Sequence, residues 1–153
     1  VKTYGSWQGR HGGGTHNGIE SFIRSVFFGS AAVRFHRPPS GLGLGDTAQS
    51  VIRSIRMATD RMSFFDAAPH NGLLGERQEN EAYCRAVPGR EYLVYFPGPG
   101  EVELDLQSPV RRFRIQRLDI LSGQWSDETV PSDGNLLPLS SDRKHLLYLI
   151  KKK

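Results

Sequence analysis

The chain has 153 residues, of which 37% are hydrophobic, 10% aromatic and 24% charged, with a formal net charge of +4. Eight Phe, five Tyr and two Trp exclude a disordered segment, which lacks such buriable surface, and the length supplies one ordinary domain core or a small domain with part of another. Cys84 is the only cysteine, so an internal disulfide framework and a cysteine zinc cluster are excluded, and no apolar run approaches the ~20 residues that span a bilayer.

The excess positive charge lies mostly in the tail Lys151 to Lys153, and a charged tail is usually a solvated end. Only Val110 to Arg117 resembles a basic strip with interleaved aromatics. Strand alternation there puts Arg112 and Arg114 on one face and Phe113 and Ile115 on the other, which reads as a half-buried strand with a solvated Arg face. Neither a nucleic-acid nor a membrane partner is expected.

The chain starts at Val1 without an initiator Met or a signal peptide and enters a Gly- and His-rich stretch; it reads as a piece of something longer. A helix is expected from Asn17, with Asn17 as the cap and Glu20 reaching back to it. Ile19, Phe22, Ile23, Val26 and Phe27 form its apolar face, and Gly29 closes it. Ala31 to Phe35 follows as a buried strand that becomes charged at Arg34, His36 and Arg37. Pro38-Pro39 and spaced glycines form a loop, and a second helix begins with Asp46 or Thr47 as its cap. Val51, Ile55, Ala58 and Met62 make one stripe of that helix, with Arg53, Arg56 and Asp60 mostly off it. Helix, strand, loop and helix form a repeating unit of an α/β layer structure, and a single strand needs partners from elsewhere.

Pro69, Asn71-Gly72 and Gly75 break this pattern and place a domain boundary near residue 70. Ala82 to Val87, Glu91 to Phe96 and the strictly alternating Val102, Leu104 and Leu106 read as strands. Arg111 to Ile120 reads as a longer strand, bulged near Arg117, and His145 to Ile150 as the closing strand. About six strands at this spacing predict a small antiparallel sandwich. The fold class is therefore α+β, divided into residues 1–70 and 71–153.

An apolar helix running into Gly29-Ser30-Ala31-Ala32-Val33-Arg34-Phe35-His36-Arg37-Pro38-Pro39, then Tyr83-Cys84-Arg85-Ala86, Glu91 to Pro97 and the alternating Val102 to Leu106, resembles the C-terminal end of an apiosidase-like glycoside hydrolase. That family has a (β/α)8 barrel followed by a β-sandwich often labelled a collagen-binding domain. The resemblance implies that residues 1–70 are the last helix, strand and helix of the barrel and that residues 71–153 are the accessory sandwich. It makes Tyr4 to His16 the loop after the seventh barrel strand and Ala31 to Phe35 the eighth strand. It implies a carbohydrate substrate, no cofactor, and a secreted or periplasmic location. The catalytic carboxylates of the family end the fourth and seventh strands, which would precede Val1. The missing barrel portion, or self-association in its place, is then the expected protein partner.

Glycoside hydrolysis needs two carboxyl groups about 5 to 9.5 Å apart. In the first half of the chain these are Glu20, Asp46, Asp60 and Asp66, and capping explains the first two, so no catalytic pair emerges. The candidate substrate-binding residues are Trp7, His16, Arg34, His36 and Arg37. An indole among glycines offers an apolar face to a sugar ring, although packing explains Trp7 equally well. Along the strand Arg34 and His36 point to one side and Phe35 and Arg37 to the other, so either set can donate to sugar hydroxyls or form structural ion pairs. His11, His16 and His36 lack any zinc-ligand spacing, so no metal is expected. Gly41 to Gly45 lacks both the dinucleotide and the Walker order, and Cys84 reads as a small hydrophobe. Two function classes remain: part of a glycosidase whose sandwich braces the barrel, or a sandwich that itself binds a polysaccharide or an extracellular matrix polymer. Tyr92, Tyr95, Phe96 and Trp125 sit in apolar runs that read as core, which favours the first.

Overall fold

The structure, a computed structural model, describes residues 2–4, 14–30, 32–34, 43–108, 112–128 and 134–153. Strand β1 (Lys2–Tyr4) pairs in parallel with β2 (Ala32–Arg34), in the register Lys2 to Ala32, Thr3 to Val33 and Tyr4 to Arg34. Parallel neighbours require a crossover, and helix α1 (Gly14–Phe27) lies within it. The helix starts at Gly14, so Asn17 is not its cap and the expected capping box does not form. The apolar period begins at Ile19 and carries no information about the turn before it. Glu20 instead pairs with Arg24 one turn on, at 3.4 Å. At the other end Gly29 adopts φ +75°, and the Gly29 and Ser30 amides bond to the Val26 and Ser25 carbonyls at 3.1 and 2.9 Å. These two bonds form a Schellman stop, which only glycine enters without strain.

Helix α2 (Asp46–Thr59) has Gly45 at its cap position with no side-chain cap bond, so neither Asp46 nor Thr47 caps it. Asp46 lies in the first turn, where its charge opposes the positive end of the helix dipole. The expected stripe is buried: Val51, Ile55 and Ala58 within the helix and Met62 in the turn beyond it.

The rest is antiparallel. Strands β3 (Ala68–Pro69), β5 (Tyr83–Val87), β6 (Glu91–Phe96), β8 (Phe113–Asp119), β9 (Gln124–Glu128) and β11 (Leu146–Lys152) form one sheet in the order β3-β5-β6-β11-β8-β9. Strands β4 (Leu74–Gly75), β7 (Gly100–Asp105) and β10 (Leu136–Ser141) form a second in the order β10-β7-β4. One face of the large sheet, with Cys84, Tyr92, Val94, Phe96, Ile115, Tyr148 and Ile150, packs on Leu104, Leu106, Leu137 and Leu139 of the small-sheet side. The opposite face, with Tyr83, Leu93, Tyr95, Leu118, Leu147 and Leu149, packs on Ile19, Ile23 and Phe27 of α1 and Val51, Ile55 and Ala58 of α2. The three layers are thus helices, large sheet and small sheet.

Burial of both faces explains why β6 and β11 read as continuous apolar runs without polar alternation. The last strand does not close an edge: β11 sits between β6 and β8 in the middle of the sheet. The slip near Arg117 is not a bulge, since β8 pairs without interruption to β11 and to β9. Ile115 and Leu118 are both buried because they serve opposite faces. Strand β10, unforeseen from sequence, contains Pro138 but alternates its burial at Leu137, Leu139 and Ser141; it is an edge strand, where proline is tolerated.

Candidate functional site

The parallel register brings Tyr4 and Arg34 to the same, C-terminal end of the β1–β2 pair, the end at which α/β proteins place their sites. Arg34 is the last residue of β2 and His16 lies in the first turn of α1. Trp7, His36 and Arg37 lie outside the described residues. No Asp or Glu occurs before Glu20, nor between Glu20 and Asp46, so the segments leaving β1 and β2 contribute cations, histidines and an indole but no carboxylate. Glu20 is committed elsewhere, to Arg24, with the Tyr83 hydroxyl 3.4 Å from the same oxygen.

A second polar system ties the helix layer to the large sheet. Arg85, 7% exposed, points from β5 toward the helices. Its Nη1 donates to the Phe27 carbonyl at the end of α1 at 2.8 Å, and its Nη2 to the Phe64 carbonyl beyond α2 at 3.3 Å. The guanidinium also lies 4.4 Å from the centre of the Phe64 ring. Burial pulls the Arg85 pKa below its usual value. Glu91 at the start of β6 accepts the Ser63 amide at 2.6 Å and faces Lys151 of β11 at 3.2 Å. Burial alone would raise the Glu91 carboxyl pKa, but the Ser63 and Lys151 hydrogen bonds and the lysine charge outweigh it and hold the group below the usual carboxylate range. Lys151 also donates to the Arg61 carbonyl at 2.8 Å. Tyr83 carries Arg24 and Arg77 over its ring at 5.1 and 5.6 Å and donates to Asn80 at 2.8 Å.

A cleft of about 530 Å³ opens beside this joint, lined by Arg61, Arg114, Gln116, Trp125, Leu149 and Lys151. Strand register explains its composition. Arg114 and Gln116 share the helix-side face of β8 with Leu118, and Trp125 of β9 stands opposite Leu118. The helix layer covers Leu118 and leaves Arg114 exposed, so the strip beyond it is polar. Arg61, in the turn after α2, lies 4.1 Å from the centre of the Trp125 ring. The Trp125 Nε1 is buried and has no hydrogen-bond partner among the described residues. Arg114 pairs with Asp127 at 3.1 Å, Gln116 donates to the same carboxylate at 3.0 Å, and these bonds hold the Asp127 pKa below its usual value.

Tyr92, Tyr95 and Phe96 are fully buried as expected, whereas Trp125 only partly is and forms a wall of the cleft. Sequence reasoning missed Arg61 altogether; its only signal was a position off the apolar stripe. Cys84 is buried, and that burial pushes its thiol pKa up to about 12, as suits a small hydrophobe. Among the described residues no cluster of three or more His, Cys, Asp or Glu could hold a metal, and no helix is long and apolar enough to cross a membrane.

No family model and no curated protein matches the sequence. Among solved structures, the chain is similar to one described as a glycoside hydrolase, with a TM-score of 0.71 and 13% identity, over 89% of this chain and 36% of that one. It is also similar to a glycoside hydrolase family 5 protein from Bacteroides vulgatus, with a TM-score of 0.71 and 14% identity, over 91% of this chain and 36% of that one. The chain therefore has the fold of part of a glycoside hydrolase and spans about a third of the length of these structures. Neither is described as apiosidase-like, so the likeness stands at the broader level of glycoside hydrolases.

Proposed function

We infer that the chain is the C-terminal part of a glycoside hydrolase, with residues 1–70 forming the last β-α-β-α unit of a (β/α)8 barrel, apart from β3 at their end, which pairs into the large sheet, and residues 71–153 a sandwich that braces it. The observation that carries this reading is the parallel β1–β2 pair with α1 in its crossover and α2 following, together with the fold likeness over nearly the whole chain. A two-stranded parallel sheet of three residues each needs further strands beside it, and the rest of a barrel supplies them. Strand β1 then belongs to the seventh barrel strand, so part of that strand lies inside this chain. No carboxylate occurs before Glu20, so the carboxyl group that the resemblance puts at the end of the seventh strand is not found where β1 ends, and both carboxyl groups of the reaction would lie on other strands. Trp7, His16, Arg34, His36 and Arg37 then contribute to substrate binding at the rim, on a carbohydrate that other strands cleave.

Bracing is supported by the apolar contact of both helices with the large sheet and by the bonds from Arg85, Glu91 and Lys151 to backbone at the helix ends. Phe65 is 98% exposed and Phe28 50%, as fits surfaces that a fuller barrel would cover and that drive self-association without it. Determining the coding sequence upstream of Val1 tests the reading. Alternating strands and helices are expected there, and the extended protein should hydrolyse glycosides that the 153-residue chain leaves intact. A start codon directly before Val1 would overturn it.

A further inference from the structure

We propose that the cleft between Arg61 and strands β8, β9 and β11 binds a carboxylate-bearing sugar, a uronic acid residue of a glycan, at a site on the sandwich separate from the barrel rim. Three cations line it, and two are already committed: Arg114 to Asp127 and Lys151 to Glu91. Arg61 forms no ion pair among the described residues. Its guanidinium lies over the Trp125 ring, a contact that restrains the planar fork, and its charge also acts on Asp127 across the cleft. A restrained guanidinium matches a carboxylate through two parallel bonds and loses little side-chain freedom in doing so.

The remaining groups suit a polyol better than a bare anion. Asp127 is an exposed carboxylate that accepts from hydroxyls, and it and Glu91 beside Lys151 repel a doubly charged phosphate or sulfate more strongly than the single charge of a uronate. The Trp125 ring in the cleft wall offers an apolar surface to the C–H face of a sugar ring. The volume of about 530 Å³ falls within the usual range for small-ligand sites, roughly 300–1,000 Å³. The choice of a carboxylate rests on the cleft alone; the choice of a sugar rests also on the glycoside hydrolase reading.

The test uses the full 153-residue chain carrying Trp7→Phe, which leaves Trp125 as the one indole, and follows its fluorescence during titration with glucuronate, glucose, acetate and inorganic phosphate. Glucuronate should give a saturable change at a concentration about tenfold below that of any of the other three, and Arg61→Gln should weaken it by about tenfold. Arg114→Gln, which changes only an exposed side chain, should weaken it less while leaving the circular dichroism spectrum unchanged. Acetate equal to glucuronate would overturn the sugar, phosphate equal or tighter would leave only a general anion site, and an unaltered response in Arg61→Gln would overturn the site itself. All of these outcomes leave the barrel reading untouched, since that rests on the β1–β2 pair and the fold likeness and is tested upstream of Val1.

Discussion

The two faces of the six-stranded sheet solve the same packing problem differently. Toward the small sheet, Tyr92, Val94, Phe96, Ile115, Tyr148 and Ile150 meet leucines from β7 and β10 in an apolar layer. Toward the helices, Leu93, Tyr95, Leu118 and Leu147 form a comparable layer, but it is bordered by Arg85, Glu91 and Lys151 bonding to backbone at the helix ends and then by a polar cleft. Apolar contact is non-directional and resists sliding weakly, whereas a buried guanidinium aimed at two carbonyls fixes position. The first face holds a sandwich together; the second aligns one layer on another.

The largest effect should therefore come from the apolar face. Phe96→Ala removes a fully buried ring that packs edge-on against Tyr148 and should cost about 3–5 kcal/mol, read as a lower midpoint for the whole chain in chemical denaturation. Arg85→Ala should cost less, about 1.5–3 kcal/mol from the lost charge-assisted bonds, and in a different place. Amide exchange should quicken at Phe28 to Ser30 and Phe64 to Ala67 while β6 and β11 stay protected. Equal loosening of both layers would erase the distinction between the faces.

Glu91 sharpens the same comparison through pH. Its carboxyl pKa is lower in the folded chain than in a free chain, where it is about 4.3. The stability it confers is therefore complete above that value and disappears as pH falls through the lower, folded one. Glu91→Gln should thus be less stable than the parent at pH 6, with the gap narrowing toward pH 3. The exposed Asp127 and Asp142, whose pKa values are also lowered, are common to both proteins and cancel in that difference. A gap independent of pH would mean that Glu91 acts by packing alone.

Much of this arrangement was legible in the sequence, and the misses have physical causes. Alternation of Val102, Leu104 and Leu106 with Glu101, Glu103 and Asp105 marks a strand with one covered face, as observed for β7. A uniformly apolar run such as Leu146 to Ile150 tells that both faces are covered but not by what, so the central place of β11 was hidden. The slip at Arg117 looked like a bulge because alternation assumes a single buried face, whereas β8 buries Ile115 on one side and Leu118 on the other. The polar face of Arg114 was legible from period two. Its meeting with Arg61 and Trp125 was not, since a contact between residues far apart in the chain exists only once α2 is laid across the sheet.

The smallest expected effect tests the outer limit of the helix-side face. Arg114 and Asp127 form an ion pair whose side chains are 58% and 66% exposed, and such a pair contributes little because water competes for both charges and long side chains lose freedom in forming it. Arg114→Gln should shift the denaturation midpoint only slightly, and 1 M salt should abolish most of the difference. A loss as large as that of Arg85→Ala would make the strip structural and extend the joint to the sheet edge. A small loss means that nothing in the stability of the fold requires Arg114, Gln116 and Asp127 to be polar on a face whose neighbours are Leu118 and Leu149. Exposure to water accounts for that polarity, and the strip is then free to meet a ligand in the cleft it lines.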